Sequence, residues 1–352
     1  MSILDSFFTN PPKLDTFFSR KLQIPHNSSF ILTGPRASGK SALVIDYINS
    51  VDKPYLYIDC QDPIFILEDI DKFEIEEFIQ EENIKVLVLD HYFEGFLDSF
   101  PEVEQLIIIS RDNINLNLPS LTLYPLDFEE FINFKATNSA TAAFNLYTKF
   151  GSLPKVAKSS NAYLSSRELF FEKFDSQEGK VLLILALYQG KVATSHQIYT
   201  TAKDYFKISK DWLYKTIKNF EKEGLLFQIN TLQKGFGKKI ILYDFLFSKY
   251  LNKRQQFITS FDSIVALALL KHKIDIKAST FPLGYLTNSE FIQISPFEDE
   301  AKTWQKAQSN FGFYTQNGIK NVTILTINSY YSFKIKDTNF NALPFYEWVV
   351  GL

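Results

Sequence analysis

Cysteine is nearly absent from this 352-residue sequence: Cys60 is the only one, so no internal disulfide can form and a reducing compartment is expected. No catalytic partner is suggested for Cys60, and we interpret it as a small residue at the end of a strand. Long apolar runs are also missing, since VLLILALY and IVALALL fall far short of the roughly 20 residues that span a bilayer. No targeting signal is visible, so we expect a cytoplasmic protein without a membrane partner.

A strong charge bias is missing too. The net charge is −3 at pH 7, so the chain is no polycation and any nucleic-acid surface must be local. The composition, 45% hydrophobic and 22% charged, is that of an ordinary globular protein with enough apolar material for a core. A chain of this length is expected to form two or three domains.

Short apolar runs alternate with amphipathic stretches over residues 26–135. The runs SSFILTG, KPYLYIDC, KVLVLD, EQLIIIS and SLTLYPL predict strands, because they are short and rich in Ile, Leu, Val and Tyr. The stretches GKSALVIDYINSV and DKFEIEEFIQEEN predict helices between them. This alternation predicts an α/β fold with a parallel sheet that helices cover on both faces.

The segment GPRASGKS fits the phosphate-binding pattern G-x-x-x-x-G-K-[ST], and it lies between a predicted strand and a predicted helix. In such a loop, main-chain N–H groups surround the phosphates, the lysine pairs with phosphate oxygens, and the serine hydroxyl binds Mg²⁺. An ordinary glycine-rich turn is the alternative, and this context disfavours it. The predicted nucleotide loop consists of Gly34, Pro35, Arg36, Ala37, Ser38, Gly39, Lys40 and Ser41.

A second predicted part of the site follows KVLVLD. Asp90 ends this strand and is the expected carboxylate for Mg²⁺, together with Ser41. His91 stands where a water-activating glutamate often lies; it could accept a proton or simply pack at the strand end. Glu94 is an alternative base if the segment turns. Ser110 and Arg111, which end the next strand, are candidate sensors of the γ-phosphate.

Residues 177–243 predict three helices followed by two strands, which is the winged-helix pattern, with Ser209 as the N-cap of the third helix. This stretch contains eleven lysines and five acidic residues, which leaves an excess of six positive charges. Such a unit could bind the phosphates of double-stranded DNA or another protein. The candidate DNA contacts are Lys210, Lys215, Lys218, Lys222, Lys234, Lys238 and Lys239.

Two further motifs, YPLDFEEF at 124–131 and YTKFGSLPKV at 147–156, follow the phosphate loop and the strand that ends in Asp90. In this order the motifs resemble the archaeal-type AAA-like ATPases, and the resemblance covers nearly the whole chain. It implies a P-loop ATPase core at 1–135 with sheet order 5-1-4-3-2, a helical lid at 136–176, a winged helix at 177–243 and a domain related to restriction endonucleases at 244–352. It also implies ATP and Mg²⁺ as ligands, Arg36 in the nucleotide loop and Ser110 as a sensor.

The chain departs from that family in three places. The family usually has Asp-Glu where this chain has Asp90-His91, and GGLP where this chain has GSLP. In NSEFIQISPF, Gln293 and Ser295 stand where a nuclease needs a glutamate and a lysine, although Glu290 is present. We therefore expect a degenerate nuclease fold without cleavage activity.

The sequence thus predicts a protein that binds ATP and hydrolyses it slowly, or when a partner stimulates it, with the nucleotide state controlling a DNA-binding winged helix. The alternative is a scaffold or regulator that holds nucleotide without hydrolysis and acts through contacts with a protein partner or with copies of itself. A kinase that uses the same loop is a weaker possibility, because no acceptor-binding motif is evident.

Overall fold

The computed structural model describes residues 2–14, 16–111, 114–135, 137, 139–233, 235 and 237–352. The chain divides into two compact units. The first unit extends to Pro125 and includes Lys222–Gly224, and the second comprises Leu126–Glu221 and Leu225–Leu352. Every helix that the structure describes is too short or too polar to cross a membrane.

The first unit has a five-stranded sheet with strand order β2-β3-β4-β1-β5, and all of its strand pairs are parallel. Read from the other edge, this is the order 5-1-4-3-2, so the predicted parallel sheet and its order are confirmed. The elements are α1 (Ile3–Thr9), β1 (Phe30–Thr33), α2 (Lys40–Ser50), β2 (Tyr55–Asp59), α3 (Lys72–Glu81), β3 (Val86–Tyr92), β4 (Gln105–Ser110) and β5 (Ser120–Thr122).

Successive side chains of β1, β2, β3 and β4 enter two different apolar cores, because strand side chains alternate between the faces of a sheet. In β1, Phe30 and Leu32 join one core, which also contains Val44 of α2. Ile31 joins the other core, which contains Ile75 of α3. The sheet is therefore covered on both faces, as its continuous apolar strands predict.

Parallel pairing brings the carboxyl ends of the strands to one edge of the sheet. The β1 strand ends at Thr33, directly before the phosphate loop, and α2 begins at Lys40. Asp59 at the end of β2 lies opposite Asp90 in the register of β3. The predicted loop and the acidic strand ends therefore belong to the same edge.

The second unit begins with helices and a three-stranded antiparallel sheet of order β6-β8-β7. Three helices and two strands lie where the sequence predicts them within 177–243, and the Ser209 hydroxyl accepts the Trp212 N–H at 3.2 Å as the expected N-cap. The short strand β6 was not predicted. The elements are α4 (Phe128–Lys135), α5 (Ala140–Phe150), α6 (Pro154–Lys158), α7 (Ala162–Lys173), α8 (Ser176–Leu187), β6 (Val192–Ala193), α9 (Ser195–Tyr205), α10 (Lys210–Lys222), β7 (Leu226–Ile229) and β8 (Lys238–Leu242).

The rest of the second unit contains a mixed six-stranded sheet of order β13-β14-β12-β11-β10-β9. In the sequence, the runs EFIQIS and NVTILTI predict two of these strands, β11 and β12, whereas the other strands lack a continuous apolar run. The elements are α11 (Phe245–Leu251), α12 (Phe257–Lys271), β9 (Lys277–Thr280), β10 (Leu283–Leu286), β11 (Phe291–Ile294), α13 (Glu300–Ser309), α14 (Phe311–Gln316), β12 (Asn321–Thr326), β13 (Tyr331–Ile335), β14 (Thr338–Pro344) and α15 (Phe345–Trp348).

The GSLP motif connects α5 to α6 and is held by a buried carboxylate. Ser152 donates both its main-chain N–H and its hydroxyl to Asp244, each at 2.7 Å. Asp244 also caps α11 by accepting the Phe247 N–H. Gly151 has φ +73°, and a Cβ there would lie 2.8 Å from the Leu246 side chain. Ser152, where the motif reads GSLP and not GGLP, is thus held by its bonds to Asp244.

Candidate functional site

The backbone of the phosphate loop is turned tightly by residues with positive φ. Gly34 has φ +134°, and a Cβ there would lie 2.2 Å from the Leu123 carbonyl oxygen, so only glycine fits. Gly39 is left-handed at φ +97° and begins α2 without a side-chain cap. Ala37 also adopts the left-handed region, at φ +62°, which is uncommon for a residue with a Cβ. The loop is therefore preformed around its main-chain groups.

Two arginines hold the phosphate loop in place. Arg20 lies outside the motif, and Arg36 is part of it. Arg20 donates to the Ser38 carbonyl at 2.8 Å and to the Tyr124 carbonyl at 2.6 Å. Arg36 forms a buried bidentate ion pair with Glu223 at 2.9 and 3.0 Å. The sequence did not indicate Arg20, because nothing in its local pattern shows that it reaches the loop.

The Lys40 ammonium lies across the loop, where it donates to the Gly34 carbonyl at 2.7 Å and the Pro35 carbonyl at 3.1 Å. The pKa of Lys40 is lowered to about 8, chiefly by burial and to a smaller extent by the positive charges of Arg111 and Arg36. Asp90 and Glu223 oppose this shift. The lysine is thus close to Asp90 and Arg111, and its charge is sensitive to an added anion.

The β3 strand is irregular between Leu89 and Tyr92, where its register against β4 shifts. His91 lies in this bulge with φ +53°, a left-handed conformation. The carboxylate of Asp90 is buried and accepts the His91 N–H at 2.7 Å. Its other oxygen accepts the hydroxyl proton of Tyr57 at 2.5 Å. The bulge thus aims Asp90 back toward β2 and the start of α2.

Tyr57 is bound to one of the two residues predicted to bind Mg²⁺. Its hydroxyl donates a hydrogen bond to Asp90. Burial raises the pKa of Tyr57 well above its usual value, and the negative charge of Asp90 adds to this shift. The sequence did not identify Tyr57, which looks like an ordinary strand residue in KPYLYIDC.

The imidazole of His91 is held by Asp59, whose Oδ1 lies 2.9 Å from Nδ1. This hydrogen bond raises the pKa of His91; burial opposes it, and the nearby charge of Asp90 adds to it. The position of Asp59 opposite Asp90 in the strand register explains the contact. Asp59 could have been found from the sequence only by assuming that β2 and β3 are neighbours.

The other predicted catalytic residues fall into two groups. Arg111 belongs to the cluster, since its charge lowers the pKa of both Lys40 and His91. The Ser110 hydroxyl is buried and donates to the Tyr92 carbonyl at 2.9 Å, which does not support donation to a phosphate. Glu94 is exposed on the turn after β3, where its charge affects the pKa of Tyr92. The structure does not bring Glu94 into the cluster.

The residues present fit a triphosphate and a divalent cation. The Ser38 hydroxyl is fully buried and has no hydrogen-bond partner among the described residues, as expected of a polar atom that binds a ligand inside the loop. The first N–H groups of α2 have no partner within the helix and no side-chain cap. Lys40 supplies a positive charge at the same place. Ser41 and Asp90 supply the oxygen atoms that Mg²⁺ prefers.

The predicted DNA-binding lysines do not share one environment. Along α10, Lys215, Lys218 and Lys222 are exposed at a spacing that places them on one face of the helix, and Lys210 is exposed at its start. Lys238 is also exposed. Lys234 lies outside the described residues.

Lys239 requires a correction, because it is fully buried. Its ammonium pairs with Asp262 at 2.7 Å and lies 4.5 Å from the centre of the Tyr285 ring. The Tyr285 hydroxyl donates to the same carboxylate at 2.7 Å. The prediction that Lys239 contacts DNA is therefore wrong: its charge compensates a buried aspartate.

The segment between β7 and β8 is attached to the C-terminal sheet. The Leu232 N–H donates to the Ala278 carbonyl, and the Ala278 N–H donates to the Asn230 carbonyl, each at 2.8 Å. The Gln233 amide donates to the Ser279 hydroxyl at 2.9 Å. Residues 230–233 therefore extend the edge of that sheet at β9.

The C-terminal residues considered for nuclease chemistry are engaged with protein partners. Gln293 accepts the Tyr314 hydroxyl at 2.7 Å and donates to Ser295 at 3.3 Å. The carboxylate of Glu290 accepts the Thr323 hydroxyl. No cluster of three or more potential metal-ligating residues occurs in the part of the chain that the structure describes.

A family model described as an AAA domain matches residues 26–106, which contain the phosphate loop, Asp90 and His91. No curated protein matches the sequence. Among solved structures, a Walker-type ATPase of Pyrococcus abyssi has a similar backbone fold, with a TM-score of 0.40 and 12% sequence identity. The match covers 63% of this chain and 90% of that one. The ORC1 protein of Aeropyrum pernix in complex with DNA shows 12% identity, a TM-score of 0.31 and coverage of 64% and 87%. Such low scores carry no argument about function.

Proposed function

We propose that the chain binds ATP together with Mg²⁺ through the loop Gly34–Ser41. The observation that carries this proposal is the preformed loop between β1 and α2, with Lys40 lying across it and Asp90 beside it. The match of residues 26–106 to an AAA domain supports it. Bound Mg²⁺ would neutralise phosphate charge, and Ser41 and Asp90 are the residues that would hold it.

Hydrolysis is proposed to be slow, or to depend on a partner, with His91 as the residue that receives the proton of the attacking water. Asp59 accepts at Nδ1 of the ring, which leaves Nε2 as the nitrogen that can accept a proton. The raised pKa of His91 increases its protonated fraction at neutral pH, so a smaller fraction of it can accept a proton there than of a fully ionised glutamate. Arg111 is the proposed contact to the transferred phosphate, and Glu94 is given no role.

The three helices and the antiparallel sheet of residues 177–243 are proposed to form a winged helix that binds double-stranded DNA. The exposed lysines of α10 support contact with phosphates, and such binding would depend strongly on salt. Glu223, the partner of Arg36, directly follows α10 in the chain. We propose that this pair transmits the nucleotide state to the helix, and that residues 244–352 are a degenerate nuclease-like domain used for packing.

A second candidate is a nucleotide-holding scaffold that contacts a protein, or another copy of itself, and does not hydrolyse ATP. Two observations favour it: the Ser110 hydroxyl donates to the Tyr92 carbonyl, and the segment 230–233 is hydrogen-bonded to β9. In that case the lysines of α10 would face an acidic protein surface instead of DNA.

Single-turnover release of phosphate from ATP, measured with and without duplex DNA at low salt, separates the two candidates. The ATPase proposal expects slow release that DNA accelerates, faster release in His91→Glu, and an unchanged rate in the matched variant Glu94→Gln. Release that stays at the level of buffer alone, with DNA and in His91→Glu, contradicts it and leaves the scaffold.

A further inference from the structure

A cleft with aromatic walls opens on the surface of the first unit, between the start of α3 and the turn that follows β3. Its volume is about 720 Å³, and its lining residues all lie within 65–74 and 93–99. Phe65, Phe96 and Phe93 form a row of rings in it, with successive centroids 5.1 and 5.6 Å apart. The Phe96 N–H donates to the Phe93 carbonyl at 3.2 Å, so the turn that carries two of these rings is held by its own hydrogen bond.

Large apolar side chains beside this row are exposed to solvent. Phe73, which lines the cleft from α3, is 74% exposed. Ile66 and Leu67 follow Phe65 in the chain and are each 84% exposed, and Phe93 is also exposed. A single exposed apolar residue is ordinary on a protein surface, but four of them beside one cleft are typical of a site that binds another protein.

The charges around the cleft are mainly negative. Four carboxylates and one lysine line it: Asp69, Asp71, Glu74, Asp98 and Lys72. The lysine is paired with Glu76 at 3.3 Å, so its charge is already compensated. The carboxylates of Asp71 and Glu74 cap α3, which fixes their positions. Such a surface repels nucleic acids and anionic lipid headgroups, and it attracts lysine and arginine side chains.

We propose that this cleft binds a basic, amphipathic segment of a partner protein. The apolar side chains of that segment cover Phe73 and Phe93, and its lysine or arginine side chains reach the surrounding carboxylates. A helix presents such a face with apolar residues at positions i, i+3, i+4 and i+7. The contacts that form the cleft do not involve the phosphate loop, so binding of the segment goes beyond the proposed function and is tested without nucleotide.

The test uses the full chain and a fluorescein-labelled peptide of about 18 residues, with leucines at the helical spacing and lysines at the other positions. We expect saturable binding in fluorescence anisotropy at low salt. Two matched peptides should bind at least about tenfold more weakly, because binding needs both the charge and the apolar face. In one of them glutamates replace the lysines, and in the other serines replace the leucines.

Variants of the chain locate the bound peptide. Phe73→Ala and Phe93→Ala should each weaken binding about tenfold, the scale of an aromatic residue at the centre of an interface. Asp69→Asn combined with Asp98→Asn should weaken binding at low salt and reduce its dependence on salt. Phe171→Ala is the matched control and should leave the affinity unchanged, because Phe171 is 68% exposed and also lies on a helix, α7.

Four results overturn the inference. Absence of binding, or equal affinity for the three peptides, would show that the cleft does not select a basic, amphipathic segment. Unchanged affinity in Phe73→Ala, or an equal loss in Phe171→Ala, would place the peptide elsewhere. A dimer of the free chain that dissociates in Phe73→Ala, measured by sedimentation velocity, would make a second copy the occupant of the cleft. Loss of affinity in the charge variant that is the same at all salt concentrations would exclude the carboxylates as contacts. Thermal unfolding of each variant confirms that it is folded.

Discussion

Nδ1 of His91 lies 2.9 Å from a carboxylate oxygen of Asp59, so the bulge residue of β3 is tied to the end of the neighbouring strand. His91 is left-handed in this bulge, and the bond fixes its ring at the edge where the phosphate loop begins. The same bond raises the pKa of His91.

Asp59→Asn should lower the free energy of unfolding more at acidic than at alkaline pH. Because the folded-state pKa of His91 is raised, the pair stabilises the fold fully below the unfolded pKa, about 6.5, and this contribution is lost as the pH rises through the folded pKa. Both side chains are partly exposed, so the effect should stay below about 1 kcal/mol. Urea unfolding at pH 5.5 and pH 9, with the exposed Asp52→Asn as control, measures it. If Asp59→Asn lowers the free energy of unfolding by the same amount at both pH values, the result contradicts this account.

Lys40 should couple nucleotide binding to proton uptake. Its pKa is about 8, and the negative charge of a phosphate would raise it. Below about pH 7 the lysine is already charged, but above pH 8 binding must add a proton, so affinity should fall up to about tenfold per pH unit. Calorimetry at pH 7 and pH 9 in buffers of different ionisation enthalpy measures the number of protons taken up. Uptake at pH 9 that persists in Lys40→Arg would assign the proton to another group.

Gly34→Ala should destabilise the fold more than Gly95→Ala. Both glycines have positive φ, at +134° and +92°, so both substitutions strain the backbone. At Gly34 the added Cβ would also lie 2.2 Å from the Leu123 carbonyl oxygen, whereas at Gly95 nothing lies within 4 Å. We expect a loss of about 1–2 kcal/mol for Gly95→Ala and a larger loss for Gly34→Ala. If denaturant unfolding shows equal losses of stability for the two variants, the contact between the new Cβ and the Leu123 carbonyl oxygen does not destabilise the fold.

The exposed face of α10 should determine the salt dependence of DNA binding. Replacing Lys215, Lys218 and Lys222 by Ala should reduce the slope of log affinity against log salt by about 0.9 for each phosphate that the variant no longer neutralises. Fluorescence anisotropy with duplex DNA at several salt concentrations measures this slope. A control in which three exposed lysines on or next to the C-terminal sheet are replaced, Lys277, Lys320 and Lys334, should keep the wild-type slope. If the slope falls equally in both triple variants, DNA binding depends on the overall positive charge and not on the exposed face of α10.

Local patterns predicted the parts of the molecule that neighbouring residues determine. The phosphate loop could be read from the sequence because its glycines and its place between β1 and α2 are set within a few residues. The strand order followed from the resemblance to a family. Tyr57, Asp59 and Arg20 could not be assigned to the site, because only pairing between distant segments brings them to Asp90, His91 and the loop, respectively. Charge alone was misleading at Lys239, whose partner Asp262 comes from a later helix.

The central claim is that a triphosphate binds to the loop with the help of Lys40. Calorimetric titration of Mg-ATP into the wild-type chain, Lys40→Ala and the control Lys13→Ala, which replaces an exposed lysine, tests it most directly. We expect saturable binding by the wild type and the control, and a loss of about a hundredfold or more in Lys40→Ala, because charge-assisted hydrogen bonds to the phosphates are removed. Absence of binding by the wild type, or unchanged affinity in Lys40→Ala, would contradict the claim.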